Sequence, residues 1–77
     1  MVIPFKVSGD FQTSRGRVLV FSKEDPRVVT LKVGDYITTT EGCFKLTNFD
    51  SPSFYIKTKN KEDEKNYRAF YVHQMGC

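Results

Sequence analysis

The chain has 77 residues, 12 of them basic and 9 acidic, which gives a formal net charge of +3. This length allows one domain at most, and a core so small leaves little room for a deep catalytic pocket. The composition favours strands over helices, with eight Val, three Ile, seven Thr, four Tyr and seven Phe against one Ala, three Leu and two Met. We therefore expect residues 1–77 to form a single all-β domain.

Turn-forming residues recur about every eight to twelve positions, which is typical of a sandwich or barrel of short strands. The first predicted strand is Val2–Val7, followed by a turn at Ser8–Asp10. The next is Arg17–Ser22, in which Val18 and Val20 share one face, opposite Leu19 and Phe21. A short third strand is predicted over Arg27–Leu31.

Two further strands, Tyr36–Thr40 and Cys43–Phe49, flank Glu41 and Gly42. This spacing predicts a tight hairpin, because glycine tolerates the positive φ that such turns require. Another strand is predicted over Ser53–Thr58. Alternation within these segments predicts a core of Val18, Val20, Ile37, Phe44, Leu46, Phe54 and Ile56.

The C-terminal segment fits two structures. As a strand, Asn66–His73 would pair with Ser53–Thr58 across the charged loop. As a helix within residues 60–75, it would be capped by Asn60 and carry an aromatic stripe at helical spacing. The strand is favoured, and the chain is then expected to form a small β-barrel of six or seven strands.

The two cysteines, Cys43 and Cys77, are expected to be reduced thiols. The N-terminus lacks the charged and apolar regions of a signal peptide, and no apolar stretch approaches the roughly 20 residues that span a membrane. These features predict a soluble cytoplasmic protein, with no membrane association.

No catalytic, metal or cofactor motif is visible. Cys43, His73 and Cys77 lack the paired spacing of a metal site, and no glycine-rich phosphate-binding loop is present. A single histidine also limits acid–base chemistry. We therefore expect no enzymatic activity, no metal and no cofactor.

Basic residues alternate with aromatic residues in segments 54–59 and 67–71. That combination is used to bind single-stranded nucleic acid, where rings stack on bases and cations meet phosphates. The same pattern also fits ordinary strands whose rings form the core and whose cations are solvated. Both interpretations stay open at this point.

Three segments carry a resemblance to a known family: Pro4–Val7, Ser14–Val18 and Leu31–Ile37, with Phe11 between the first two. Together they resemble the second domain of translational GTPases such as elongation factor Tu, over residues 4–49. The Gly34-Asp35 turn is part of that pattern, and Asp suits such a turn because it bonds its own backbone. The resemblance implies a β-barrel and a surface used on RNA or the ribosome. The GTPase domain itself is absent from this chain, so no nucleotide hydrolysis is implied.

The first functional hypothesis is a monomeric, non-catalytic module that binds nucleic acid or a ribonucleoprotein. Its predicted site combines cations with an exposed ring, and Arg15 and Arg17 are expected to project to the same side. In the barrel that the resemblance implies, the strand of Arg17 would lie close to the turn of Lys32. The alternative is a small regulator or inhibitor, of a kind common in phages and mobile elements, that binds one protein through an edge strand or an aromatic patch. The candidate binding residues are Arg15, Arg17, Lys32, Tyr36 and Tyr55.

Overall fold

A computed structural model describes residues 3–55 and 65–76. Five strands form one antiparallel sheet in the order β1-β2-β5-β4-β3, so the all-β prediction is confirmed. Among the described residues, no helix is long and apolar enough to cross a membrane. The strands are β1 (Val7–Thr13), β2 (Gly16–Ser22), β3 (Tyr36–Thr39), β4 (Gly42–Asp50) and β5 (Tyr67–Met75).

The sheet is open, and the described residues contain five strands where six or seven were expected. Its two edges are nevertheless connected through the N-terminal segment. Phe5 lies two residues before β1, yet it forms a parallel bridge with Thr39 of β3, at the opposite edge. The Phe5 amide donates to the Thr38 carbonyl over 2.9 Å, and the Thr40 amide donates to the Phe5 carbonyl over 3.0 Å. This bridge links the two edges without a closed ladder of strands, an arrangement that is compatible with a barrel-like fold.

The main core lies on one face of this sheet. Three phenylalanines, Phe21, Phe44 and Phe70, are fully buried there, and each contributes roughly 2–3 kcal/mol of hydrophobic stabilisation. The rings of Phe5 and Phe70 both contact Phe21, at centroid distances of 6.0 and 6.3 Å. The buried residues of the main core are Phe5, Leu19, Phe21, Val28, Leu31, Ile37, Phe44, Leu46, Phe70 and Val72.

A smaller cluster covers the opposite face, where Val18, Val20 and Ala69 are buried beneath Tyr55, Tyr67 and Tyr71. Tyr36 lies on this face too, because it precedes the core residue Ile37 in β3. All four tyrosines of the chain therefore share one side of the sheet. We call it the tyrosine face. The predicted core is confirmed for Val18, Val20, Ile37, Phe44 and Leu46. Val18 and Val20 belong to the smaller cluster, and the other three belong to the main core.

The predicted first strand, Val2–Val7, is wrong in position. β1 begins at Val7 and includes Ser8, Gly9 and Asp10, which were expected to form a turn. The pairing register of β1 with β2 shifts between Val7 and Gly9. Ser8–Asp10 therefore do not reverse the chain. They lie at a β-bulge within β1, which is an edge strand, and edge strands tolerate such irregularities.

The predicted strand Arg27–Leu31 is wrong as well, because Pro26–Thr30 form a 3-10 helix. Proline stands in its first turn, and the Asp25 carboxylate accepts the Arg27 amide over 3.0 Å, as an N-cap does. Val28 is buried in the main core, whereas Val29 is exposed. The two valines therefore divide between core and solvent on a tight turn rather than on a strand.

A second 3-10 helix, Pro52–Phe54, replaces the beginning of the predicted strand Ser53–Thr58. Phe54 is 78% exposed, so its placement in the core is wrong, and Ile56 lies outside the described residues. The C-terminal strand is confirmed as β5, against the helical alternative. Its partners are β2 and β4, and the second half of the segment Ser53–Thr58, which was expected to pair with it, lies outside the described residues.

Cys43 is disulfide-bonded, so the expectation of a reduced thiol at this position is wrong. The only other cysteine of the chain, Cys77, lies outside the described residues. In the register of β4 and β5, Cys43 stands opposite Met75, near the C-terminal end of the chain.

Candidate nucleic-acid interface

A row of polar and aromatic side chains crosses the tyrosine face through three neighbouring strands. Tyr36 of β3 pairs with Lys45 of β4, and Lys45 pairs with His73 of β5. Tyr36 is 67% exposed, and the Lys45 ammonium lies 5.5 Å from the centre of its ring. A cation at this distance from a ring is held by a modest cation–π attraction. Unlike a carboxylate, the ring does not neutralise the positive charge. The row therefore presents a flat, exposed ring beside a positive charge, and the cation beside Tyr36 is Lys45, which was not among the predicted residues.

Arg15 reaches the same face from the opposite direction. It occupies the two-residue loop between β1 and β2, together with Ser14, and it is exposed. Its side chain borders two shallow depressions of about 370 and 380 Å³, and Tyr71 borders both of them. Arg15 thus places a cation beside an aromatic ring at the second end of the face.

Beside Arg15 lies a polar cluster of Asp50, Tyr55 and Tyr71, which line the same depression. The Tyr55 hydroxyl donates to Asp50 Oδ2, and the Tyr71 side chain borders the same depression. The bond from Tyr55, above all, lowers the pKa of Asp50, and the nearby charge of Arg15 acts in the same direction. Burial and the bond to Asp50 raise the pKa of Tyr55. The cluster therefore contains a charged carboxylate that accepts a hydrogen bond from the neutral Tyr55 hydroxyl.

Aromatic rings extend this cluster along the face. The ring of Tyr55 lies 5.1 Å from that of Phe11 and 6.4 Å from that of Phe54. Because Phe54 is largely exposed and follows a proline-initiated turn, its ring stands above the sheet rather than within it. The structure thus brings the predicted residues Arg15 and Tyr55 to one depression, with Tyr36 on the same face.

Arg17 does not belong to this surface. It alternates with Val18 in β2, so its side chain leaves the sheet on the main-core side, where the guanidinium lies 4.8 Å from the centre of the Phe44 ring. It forms a two-point ion pair with Asp10, over 2.8 and 2.5 Å. The expectation that Arg15 and Arg17 project to the same side is therefore wrong, because Arg15 lies in the hairpin loop and not on the strand.

Lys32 is exposed in the loop before β3. That loop is the turn expected around Gly34: the Asp35 amide donates to the Lys32 carbonyl over 3.1 Å, and the Asp35 carboxylate accepts the Lys32 amide. However, β5 and β4 lie between β2 and β3 in the sheet, so the predicted proximity of Arg17 to this turn is wrong. Lys32 and Arg17 do not form one site.

Sequence reasoning missed Lys45, Asp50, Tyr71 and His73 as members of this surface. Alternation in β4 does place Lys45 opposite the core residues Phe44 and Leu46. The partners of Lys45 follow from the strand order, which no local pattern reveals. Tyr71 belongs to a segment in which aromatic and basic residues alternate, whereas nothing local connects Asp50 to it.

Comparison with family models, curated proteins and solved structures found no match for this chain. The resemblance to the second domain of translational GTPases therefore gains no support from relatives. The structure shows a small antiparallel β-sheet domain that is compatible with a barrel-like fold.

Proposed function

We propose that the protein is a non-catalytic binding module whose tyrosine face binds single-stranded nucleic acid. The observation that carries this proposal is the row of Tyr36, Lys45 and His73, in which Tyr36 and His73 are exposed, with Arg15 on the same face. Stacking rings and unpaired cations on one open surface are what a flexible strand of nucleotides requires. In a duplex the bases are already stacked on one another, so they are not available to stack on the aromatic side chains.

Charge distribution supports the same surface. The two arginines that bind carboxylates, Arg17 and Arg27, have Asp10 and Asp25 as their partners, away from the tyrosine face. Arg15 and Lys45 form no salt bridge among the described residues, so both remain available for phosphates. The row from Tyr36 to His73 spans two strand spacings, about 10 Å. Such a surface accommodates more than one nucleotide.

Fluorescence anisotropy with labelled hexanucleotides of RNA and DNA at low salt tests the proposal. Two cations on phosphates predict a slope of log Kd against log salt of about 1.4 for a single strand. Removing one of them in Lys45→Gln should reduce the slope by about 0.7 and weaken binding of all sequences alike. Lys23→Gln is the matched control: it removes the same charge from an exposed residue after β2, outside the row.

Absence of binding to either nucleic acid at micromolar protein would contradict the proposal. The second candidate function is then a small regulator or inhibitor that binds one protein. It is favoured by two exposed apolar residues beside Arg68, Val29 (60% exposed) and Phe49 (50% exposed). Apolar residues presented together in this way are typical of protein contacts.

A further inference from the structure

One depression on the tyrosine face has the lining of a site for a nucleobase. It measures about 380 Å³, at the small end of the range for ligand pockets. Phe54, Tyr55 and Tyr71 line it with aromatic rings, Asp50 supplies a carboxylate, and Arg15 supplies a cation. Rings stack on a base, and the arginine suits the phosphate attached to that base.

The carboxylate gives this depression a chemical preference. Asp50 accepts the Tyr55 hydroxyl on Oδ2 and the Ser51 amide on Oδ1, the latter over 2.8 Å. A carboxylate has about four acceptor sites, so these two donors from the described residues do not occupy all of them. The hydrogen bonds keep the pKa of Asp50 low, so the carboxylate is ionised at neutral pH. In that state it accepts hydrogen bonds and cannot donate one.

We infer that this depression receives one base of the bound strand and that Asp50 selects bases with an exocyclic amino group, cytosine in preference to uracil. The inference rests on the proposed function. Cytosine offers an N4 amino donor to a carboxylate, whereas uracil presents a carbonyl oxygen at the same position. Two acceptors facing each other repel, so a carboxylate that meets position 4 of the ring favours cytosine over uracil, although the two pyrimidines are alike in size.

Titration of labelled hexacytidylate and hexauridylate measures the preference directly. The protein should bind the cytosine oligonucleotide about tenfold more tightly, which is what one hydrogen bond to a charged group contributes. Asp50→Asn should bring the ratio close to one, because the amide can donate to uracil as well as accept from cytosine. Tyr55→Phe is the matched control: it removes a donor from Asp50 and keeps the ring, so the preference should persist.

A hexanucleotide of pyrimidin-2-one riboside, which lacks the amino group, tests the same hydrogen bond with the unaltered protein. Its affinity should fall about tenfold below that of hexacytidylate. This measurement serves if Asp50→Asn fails to fold. Equal binding of the cytosine, uracil and pyrimidinone oligonucleotides would overturn the selection by Asp50 and leave the proposed function intact. If none of them binds at micromolar protein, the proposed function and this inference both fall.

Discussion

Thr13 and Thr39 form the same hydrogen bonds in two separate hairpins. Each hydroxyl donates to the carbonyl of the glycine three residues later, Gly16 or Gly42, over 2.8 and 2.9 Å. Each also accepts the amide two residues later, over 3.1 and 3.0 Å. Both glycines have positive φ, 134° and 129°. Two stretches of sequence, Thr-Ser-Arg-Gly and Thr-Thr-Glu-Gly, thus build one turn, and the first of them displays Arg15 at its tip.

Removal of the hydroxyl should cost more stability at Thr39 than at Thr13. Thr39 is only 5% exposed, so Thr39→Val removes the hydrogen bonds to the Gly42 carbonyl and the Glu41 amide at a buried position. We expect a loss of about 1–3 kcal/mol in the free energy of unfolding. Thr13→Val, in the more exposed hairpin, should cost less than 1 kcal/mol, because water replaces the lost partner. Urea denaturation of both variants checks the difference, and equal costs would contradict it.

Gly42→Ala should destabilise the protein through its backbone and not through a clash. A Cβ atom at this position would meet its nearest neighbours, Gln74 and Phe44, at 3.8 and 3.9 Å, which is ordinary contact. The φ of 129°, by contrast, is one that residues with a side chain rarely adopt. We expect a cost of about 1–2 kcal/mol. An unchanged denaturation midpoint would show that the hairpin relaxes to another turn.

The sequence correctly predicted those structural features that depend only on residues adjacent in the chain. The hairpin at Gly42 and the two-sided burial of β2 are confirmed because glycine punctuation and alternation are properties of adjacent residues. Pairing partners are not local: β5 lies between β2 and β4, which precede it by about 20 to 55 residues. The candidate site depends on that order, and this is why Lys45 and His73 were not joined to Tyr36 in advance.

Stability should fall in acid because three carboxylates have lowered pKa values in the folded protein. Hydrogen bonds from Arg17, Arg27 and Tyr55 lower the pKa of Asp10, Asp25 and Asp50, respectively. A lowered folded pKa adds stability above the unfolded value, about 3.9, and that stability is lost as the pH falls through the folded pKa. Thermal melts should therefore show a constant Tm from pH 7 to about 5 and a decline below about 4. In Asp10→Asn, which removes one of these groups, the decline should be shallower; an identical profile would contradict the contribution of Asp10.

Arg68 should support the fold and contribute nothing to binding, although the sequence placed it among basic residues interleaved with aromatics. Its Nη1 atom donates to the carbonyls of Val28, Val29 and Leu31, over 2.7, 3.1 and 2.9 Å, at the end of the first 3-10 helix. Its guanidinium also lies 4.8 Å from the centre of the Phe70 ring. Arg68→Met keeps an apolar side chain of similar reach but no donor, and we expect it to cost about 1.5–3 kcal/mol.

Arg68→Lys tests whether the positive charge of Arg68 or the planar shape of its guanidinium stabilises the fold. A lysine preserves the positive charge, but a single ammonium lacks the planar fork that also stacks on Phe70, so most of the stability loss should remain. Denaturation midpoints measure that loss. Nucleic-acid affinity per folded molecule should be unchanged in both variants, because Arg68 leaves β5 on the side opposite Tyr71. Binding that weakens in Arg68→Met and recovers in Arg68→Lys would instead place this arginine in the interface and refute its assignment to the fold alone.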